Sequence, residues 1–199
     1  MRDLDFCLHK AIELAKKAGE AALFYYPQEY EIRDKGGNSP VTRADDASNE
    51  VIIEGLKKEF SYGILSEETE DDLSRLEKNR VWIVDPLDGT KDFIDKTGDF
   101  SVMIGLVEEG RPILGVVYKP DGDVVYYAVQ ERGAFKKKGE EESIPIQISR
   151  RDRFEEMALL TSRFHTSTTA TQAAEDLGIT NTTTRGSAGL KLSSIAEGE

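Results

Sequence analysis

The sequence predicts a layered α/β protein built around a large, mostly antiparallel sheet. Three features predict it: two amphipathic helical patterns open the chain, four runs of β-branched and aromatic residues fill its middle, and short strand and helix segments alternate near its end. With 38% hydrophobic residues among 199, the chain can bury a substantial core. No internal repeat or low-complexity linker interrupts these patterns.

From Leu4 to about Tyr26, the residues Leu4, Cys7, Leu8, Ala11, Ile12, Leu14, Ala15, Ala18, Ala22 and Tyr25 recur at helical spacing, and Pro27 ends the pattern. Lys10, Glu13, Lys17 and Glu20 occupy the opposite face, so the helix buries one side. The turn-prone Lys35-Gly36-Gly37-Asn38-Ser39-Pro40 follows. A second helix is expected to start near Asp45 to Ser48, whose short polar side chains can cap it, and to carry Val51, Ile52, Leu56 and Phe60 until Gly63 breaks it. Strands are expected at Ile64 to Ser66 and Val81 to Val84, with the polar loop Glu67 to Asn79 between them.

The central runs are Phe100 to Val107, Pro112 to Tyr118, Asp123 to Val129 and Gly133 to Lys136. Glu109-Gly110 and Pro120-Asp121-Gly122 are turn signals, so these runs read as an antiparallel meander. The charged stretch Lys136 to Glu142 reads as a solvated turn. Later, Met157 to Thr161 and Thr182 to Thr184 read as strands, and Thr169 to Leu177 and Leu190 to Ala196 as helices. Residues 1–153 are expected to form an α+β unit carrying a metal site, and 154–199 the start of a second, incomplete α/β unit.

Charge and composition narrow the function. Twenty-six basic and thirty-eight acidic residues give a net charge of −12, which disfavours coating a nucleic-acid polymer and calls for cations beside any anionic substrate. Cys7 is the single cysteine and lies on an apolar helix face, which fits core packing and a reducing compartment. No apolar run reaches the ~18 residues of a membrane span, and acidic Asp3 and Asp5 do not resemble a basic leader. A soluble cytoplasmic protein is expected. His9 and His165 have no Cys or second His at metal spacing, which argues against zinc, and no Walker loop, G-x-G-x-x-G or serine-hydrolase order is present.

The chemistry concentrates in Asp85-Pro86-Leu87-Asp88-Gly89-Thr90, directly after the apolar Val81-Trp82-Ile83-Val84. Asp85 and Asp88 can turn toward one point, and the Leu87 carbonyl between them lies outside any ladder. Together they suit a magnesium ion, which takes hard oxygen ligands and leaves positions for a phosphate. Gly89 lets the backbone approach a phosphate, its N–H and that of Thr90 can bind phosphate oxygens if a helix starts there, and the Thr90 hydroxyl can orient an attacking water. Glu67, in Ser66-Glu67-Glu68, is a further ligand once its strand lies beside Asp85; alone it is a solvated loop residue. Asp45 either caps the second helix or accepts a hydrogen bond from Thr90.

These motifs, with Thr42-x-x-Asp45 upstream, resemble the lithium-sensitive, magnesium-dependent inositol monophosphatase superfamily over most of the chain. The resemblance implies alternating α/β/α/β/α layers of the sugar-phosphatase type. It also implies two or three Mg2+ ions on Glu67, Asp85, the Leu87 carbonyl and Asp88, inhibition by Li+, and Thr90 and Asp45 acting on the nucleophilic water. Lys91-Asp92-Phe93 is closer to the K-E-F of 3'(2'),5'-bisphosphate nucleotidases than to the T-N-F or R-N-F usual in inositol monophosphatases. Arg185-Gly186-Ser187-Ala188-Gly189-Leu190-Lys191 is similar to the nucleotidase segment that closes over substrate. Substrate contacts are therefore expected at Gly89, Thr90, Lys91, Ser187, Ala188 and Lys191, with Arg185 or Lys191 adding charge. An ordinary strand-to-helix connection is the alternative for that last segment.

One departure concerns a further metal-binding aspartate, which the family carries in a W-D-x-A-A-like motif beyond the segment matching Glu197-Gly198. Trp82 is the only tryptophan here and the sequence stops at Glu199, so a fragment without that carboxylate is expected. The resemblance favours removal of the 3'-phosphate of adenosine 3',5'-bisphosphate or a related nucleotide by metal-activated water. Inositol monophosphate or fructose 1,6-bisphosphate hydrolysis, and non-catalytic metal or phosphate binding, are the alternatives. The expected partner is a small phosphorylated molecule, with no nucleic-acid polymer, no membrane, and a homodimer left open.

Overall fold

Helix α1 (Leu4–Tyr25) begins where the Asp3 carboxylate accepts a hydrogen bond from the Phe6 amide at 2.8 Å. The computed structural model describes residues 3–27, 33–34, 40–164 and 167–199; Lys35 to Ser39 of the expected turn, and His165, lie outside them. The buried stripe of α1 is Cys7, Ala11, Leu14, Ala15, Ala18, Gly19 and Ala22, a face of small residues that lets other elements approach closely. Against it packs α2 (Arg43–Glu59), so near that a Cβ added to Gly55 would lie 2.2 Å from Leu14 Cδ2. Cys7 is buried in this core, as its apolar surroundings predict.

The start of α2 differs from expectation. Thr42, not Asp45 to Ser48, is the cap: its hydroxyl accepts from the Ala44 amide at 3.1 Å, while Asp45 reaches back to the Thr42 amide at 2.8 Å. Thr-x-x-Asp acts here as a capping box, with the acid in its third position. Before α2, the short strands β1 (Arg33–Asp34) and β2 (Pro40–Val41) pair antiparallel, a contact too brief for a periodic pattern to reveal.

The helix pair covers one face of a seven-stranded sheet ordered β3-β4-β5-β6-β7-β8-β9. Its strands are β3 (Gly63–Ser66), β4 (Arg80–Asp88), β5 (Ser101–Glu108), β6 (Arg111–Lys119), β7 (Val124–Val129), β8 (Gly133–Lys138) and β9 (Ile144–Ile146). Among the described residues of this sheet, only β3 and β4 pair in parallel. Side chains alternate by face: Trp82, Val84, Val102, Ile104 and Leu106 are buried in one cluster with α1 and α2, while Ile83 is 45% exposed. The expected turn Lys136 to Glu142 is shorter than read, because β8 continues to Lys138 and pairs with the edge strand β9, whose Pro145 has no N–H to offer beyond the sheet.

Strand β4 also runs further than the apolar Val81 to Val84. Pairing continues to Asp85↔Met103, lapses, and resumes at Asp88↔Ser101. Short α3 (Thr90–Ile94) follows directly. On the other sheet face lies α5 (Ala188–Ala196), so tightly that a Cβ on Gly189 would meet Met103 Sδ at 2.6 Å. Helices, sheet and helix thus form successive layers. A separate two-stranded parallel sheet, β10 (Ala158–Ser162) with β11 (Asn181–Arg185), is joined through α4 (Thr168–Asp176), each element within a residue of its sequence-based bounds.

Replacing fully buried Leu106 by alanine should cost about 2–5 kcal/mol of unfolding free energy in urea titration, whereas Ile83→Thr on the exposed face should cost less than about 1 kcal/mol.

Candidate active site

The site begins at the lapse in β4. Proline lacks an N–H, so Pro86 cannot continue the ladder, and its carbonyl instead accepts the buried Ser48 hydroxyl of α2 at 2.6 Å. The Asp85 carboxylate folds onto the Leu87 amide at 3.2 Å. Leu87 buries its side chain with Ala44, Phe93 and Phe100, which leaves its carbonyl on the site side to accept the Thr90 hydroxyl at 3.3 Å. Gly89 then takes φ +94°, and a Cβ there would lie 2.9 Å from the Asp99 carbonyl, so both conformation and space require glycine. Helix α3 starts immediately after it, as the phosphate-binding reading of its amides needs.

Asp45 meets Thr90 across 45 residues of sequence: its Oδ1 accepts the Thr90 hydroxyl at 3.2 Å, while Oδ2 accepts the Thr42 amide at 2.8 Å and the Thr42 hydroxyl at 2.7 Å. Asp45 is thus not the cap itself but its capping-box partner through Oδ2, and it meets the second reading, an acceptor for Thr90, through Oδ1. Burial pushes its pKa up to about 6 against the hydrogen bonds from Thr42, with Glu68 adding repulsion. Asp85 is raised further, to about 8, first by burial and then by the charges of Asp88 and Glu67. Glu67 sits at the end of β3, where its amide donates to the Val84 carbonyl at 3.1 Å. Its neighbour Ser66 donates to Asn49 Oδ1 at 2.6 Å, and Asn49 donates to Thr69 at 3.0 Å, so α2 holds this loop as well.

Asp88 faces α5. Its Oδ2 accepts the Gly189 amide at 2.8 Å and the Ser187 hydroxyl, and Ser101 Oγ approaches both Ser187 and Asp88, at 2.8 and 3.4 Å. Of the other expected substrate contacts, Ser187 is buried as the cap of α5, Ala188 is exposed on its first turn, and Lys91 is half-buried on α3. The cations of the last segment are engaged by the chain itself: Lys191 donates to the Gly186 carbonyl at 2.7 Å, and Arg185 pairs with Glu199 at 2.9 Å.

The donor set is all oxygen, which suits a hard divalent cation, and the Asp85 pKa, raised first by burial and then by the charges of Asp88 and Glu67, is one that such a cation would lower. Among the described residues, no three Asp, Glu, His or Cys side chains already close on a single point. Asp85 and Asp88 instead each spend an oxygen on nearby amides. Sequence reasoning missed Ser48 and Asn49, although they lie three and four positions after Asp45 on one helix face, a spacing that could have found them. It also missed Ser101 and Arg163, which no local pattern connects to the site. Asp92, read as part of the substrate-selecting segment, is 2% exposed and turned into the protein.

Among the described residues, no helix is long and apolar enough to cross a membrane. Residues 3–199 match the profile of the inositol monophosphatase family. The chain is 41% identical over 198 residues to the 3'(2'),5'-bisphosphate nucleotidase CysQ of Salmonella typhimurium, covering 96% of this chain and 77% of that protein. It is 39% identical over 196 residues to CysQ of Escherichia coli K12, with the same coverage. Among solved structures, CysQ from Bacteroides thetaiotaomicron superposes with a TM-score of 0.79 at 33% identity, covering 98% of this chain and 77% of that one. The extragenic suppressor protein SuhB from Bartonella henselae superposes with a TM-score of 0.83 at 26% identity, covering 96% and 75%. The layered fold, the Asp85 to Thr90 turn and the match along nearly the whole sequence agree, and the chain belongs to the inositol monophosphatase family.

Proposed function

We propose that this chain is a magnesium-dependent phosphomonoesterase that removes the 3'-phosphate of adenosine 3',5'-bisphosphate or a related nucleotide. The observation that carries the reading is the Thr90 hydroxyl, held between the Asp45 carboxylate at 3.2 Å and the Leu87 carbonyl at 3.3 Å on the edge of an oxygen-only donor set. A binding protein needs ligands; an arranged hydroxyl and buried acid serve proton movement. Lys91-Asp92-Phe93 and the nucleotidase names of the relatives support the choice of substrate.

In this reading Glu67, Asp85, the Leu87 carbonyl and Asp88 hold the metal. Magnesium there would neutralise phosphate charge and make a nearby water more acidic. Above about pH 6 an ionised Asp45 accepts a hydrogen bond from the Thr90 hydroxyl, which keeps its proton and turns its oxygen lone pair toward the attacking water as an acceptor. The amides of Gly89 and Thr90 take phosphate oxygens, and Lys91 adds positive charge. Ser187 and Gly189 orient Asp88, while exposed Ala188, with Lys191 behind it, presents the first turn of α5 to the substrate.

Phosphate release with Mg2+ should be fastest from adenosine 3',5'-bisphosphate, slower from inositol monophosphate and fructose 1,6-bisphosphate, and suppressed by Li+. Turnover of inositol phosphate alone would refute the substrate assignment. Thr90→Ala should lower kcat by about 10²-fold while calorimetric Mg2+ binding persists. Asp85→Asn should abolish turnover and yet stabilise the metal-free protein. The folded-state pKa of Asp85, about 8, lies above its ordinary 3.8, so the wild type loses stability as pH rises between those values. In urea titrations with a chelator, the Asn variant should therefore be more stable than wild type by about 1–3 kcal/mol at pH 8, with little difference at pH 4.

A further inference from the structure

Asp92 follows Thr90 by two residues but points away from the phosphate side of the turn. Its carboxylate is 3% exposed, and Oδ1 accepts hydrogen bonds from Arg163 Nε at 2.9 Å and the Thr97 hydroxyl at 2.7 Å. The other arm of the same guanidinium, Nη2, donates to Asp99 Oδ2 at 2.7 Å, and Lys119 lies 3.5 Å from the second Asp99 oxygen. Asp99 in turn holds the approach to α5: its carbonyl accepts the Ser187 amide at 3.2 Å, and Oδ2 lies 3.5 Å from the Gly186 amide. The packing leaves no room for a side chain at Gly186, where a Cβ would sit 2.3 Å from Asp92 Cγ and 2.4 Å from the Asp99 carbonyl.

We infer that Arg163 is a positioning residue for the hydrolysis, its guanidinium fork fixing α3 to the turn before α5 and so setting the orientation of the Asp88 carboxylate relative to the Thr90 hydroxyl. One hand of the fork holds Asp92 in the first turn of α3, which Thr90 begins. The other holds Asp99, which seats Ser187, and Ser187 and Gly189 hold Asp88. A planar guanidinium spans two carboxylates in fixed geometry; an ammonium cannot. Without it, the nearly buried Asp92 carboxylate loses its charge partner and must seek water, which displaces the helix that carries it. Arg163 comes from the end of β10, so the small parallel sheet supplies a member of the site's frame.

The kinetic part of the inference rests on the proposed phosphomonoesterase activity, so its test has a second arm. In the full chain with Mg2+, Arg163→Met should lower kcat by about 10- to 100-fold with KM for adenosine 3',5'-bisphosphate within about threefold of wild type, the signature of misplacement. Arg163→Lys should recover only part of the loss. Asp99→Asn, a near-isosteric change, should give the same split and combine less than additively with Arg163→Met. Independently of activity, deuterium uptake of segments 89–95 and 186–191 should rise together in Arg163→Met. A kcat within twofold of wild type with unchanged uptake in both segments would overturn the inference. So would a rise in KM alone, which makes Arg163 a substrate contact, or uptake rising equally through the whole sheet, which makes the pair merely stabilising. An inactive wild type would refute the hydrolase reading and leave the uptake arm to judge Arg163.

Discussion

A proline in a sheet strand forces the site into being. Because Pro86 cannot donate, β4 and β5 separate between Asp85 and Asp88, and the residues inside that gap are released from the ladder. The Leu87 carbonyl becomes available to the site for this reason, between Asp85 and Asp88, which stay paired with β5 on either side of the gap. The gap would be a weakness if nothing filled it. Ser48 satisfies the Pro86 carbonyl and Leu87 packs with Ala44, Phe93 and Phe100, so the interruption has partners for the groups the ladder gives up.

Helix α2 is the counterpart of that interruption. Asp45, Ser48 and Asn49 share a face and reach Thr90, the Pro86 carbonyl and the Ser66 to Thr69 loop in turn. A single rigid element thereby registers two segments, 66–69 and 86–90, that are distant from it in sequence. The cost is electrostatic: the same packing that fixes Asp45 and Asp85 also strips them of water and sets them near like charges. Precision of placement and tension between charges come from one cause, and the all-oxygen donor set is the reason a divalent cation fits that tension.

Local chemistry in the sequence foretold much of this. The apolar strand running into two aspartates, a glycine and a threonine located the turn, and the β-branched and aromatic runs from Phe100 to Lys136, with the turn signals between them, located the meander. Thr42-x-x-Asp45 held both of its meanings in four residues. Parts that depend on tertiary partners stayed hidden. Nothing around Pro145 declares an edge strand until β8 stands beside it, and the exposure of Asp92 cannot be told from Lys91-Asp92-Phe93, because Arg163 faces it from 71 residues away. Lys191 and Arg185 read as cations for a phosphate, yet both find acceptors within their own segment.

The contacts that build the site have another consequence, for how the chain acquires it. Thr90 and Asp45 are 45 residues apart, Ser48 and Pro86 38, and Asp88 and Gly189 101, so each pairing closes a long loop whose entropy must be met before the contact returns anything. Closure of loops this long disfavours early formation of these contacts relative to local structure such as α1 and the hairpins of the meander. A folding intermediate with helices and sheet in place but α5 undocked would display the acidic turn without its frame. The frame of the acidic turn therefore depends on contacts that close only when α5 docks against the sheet.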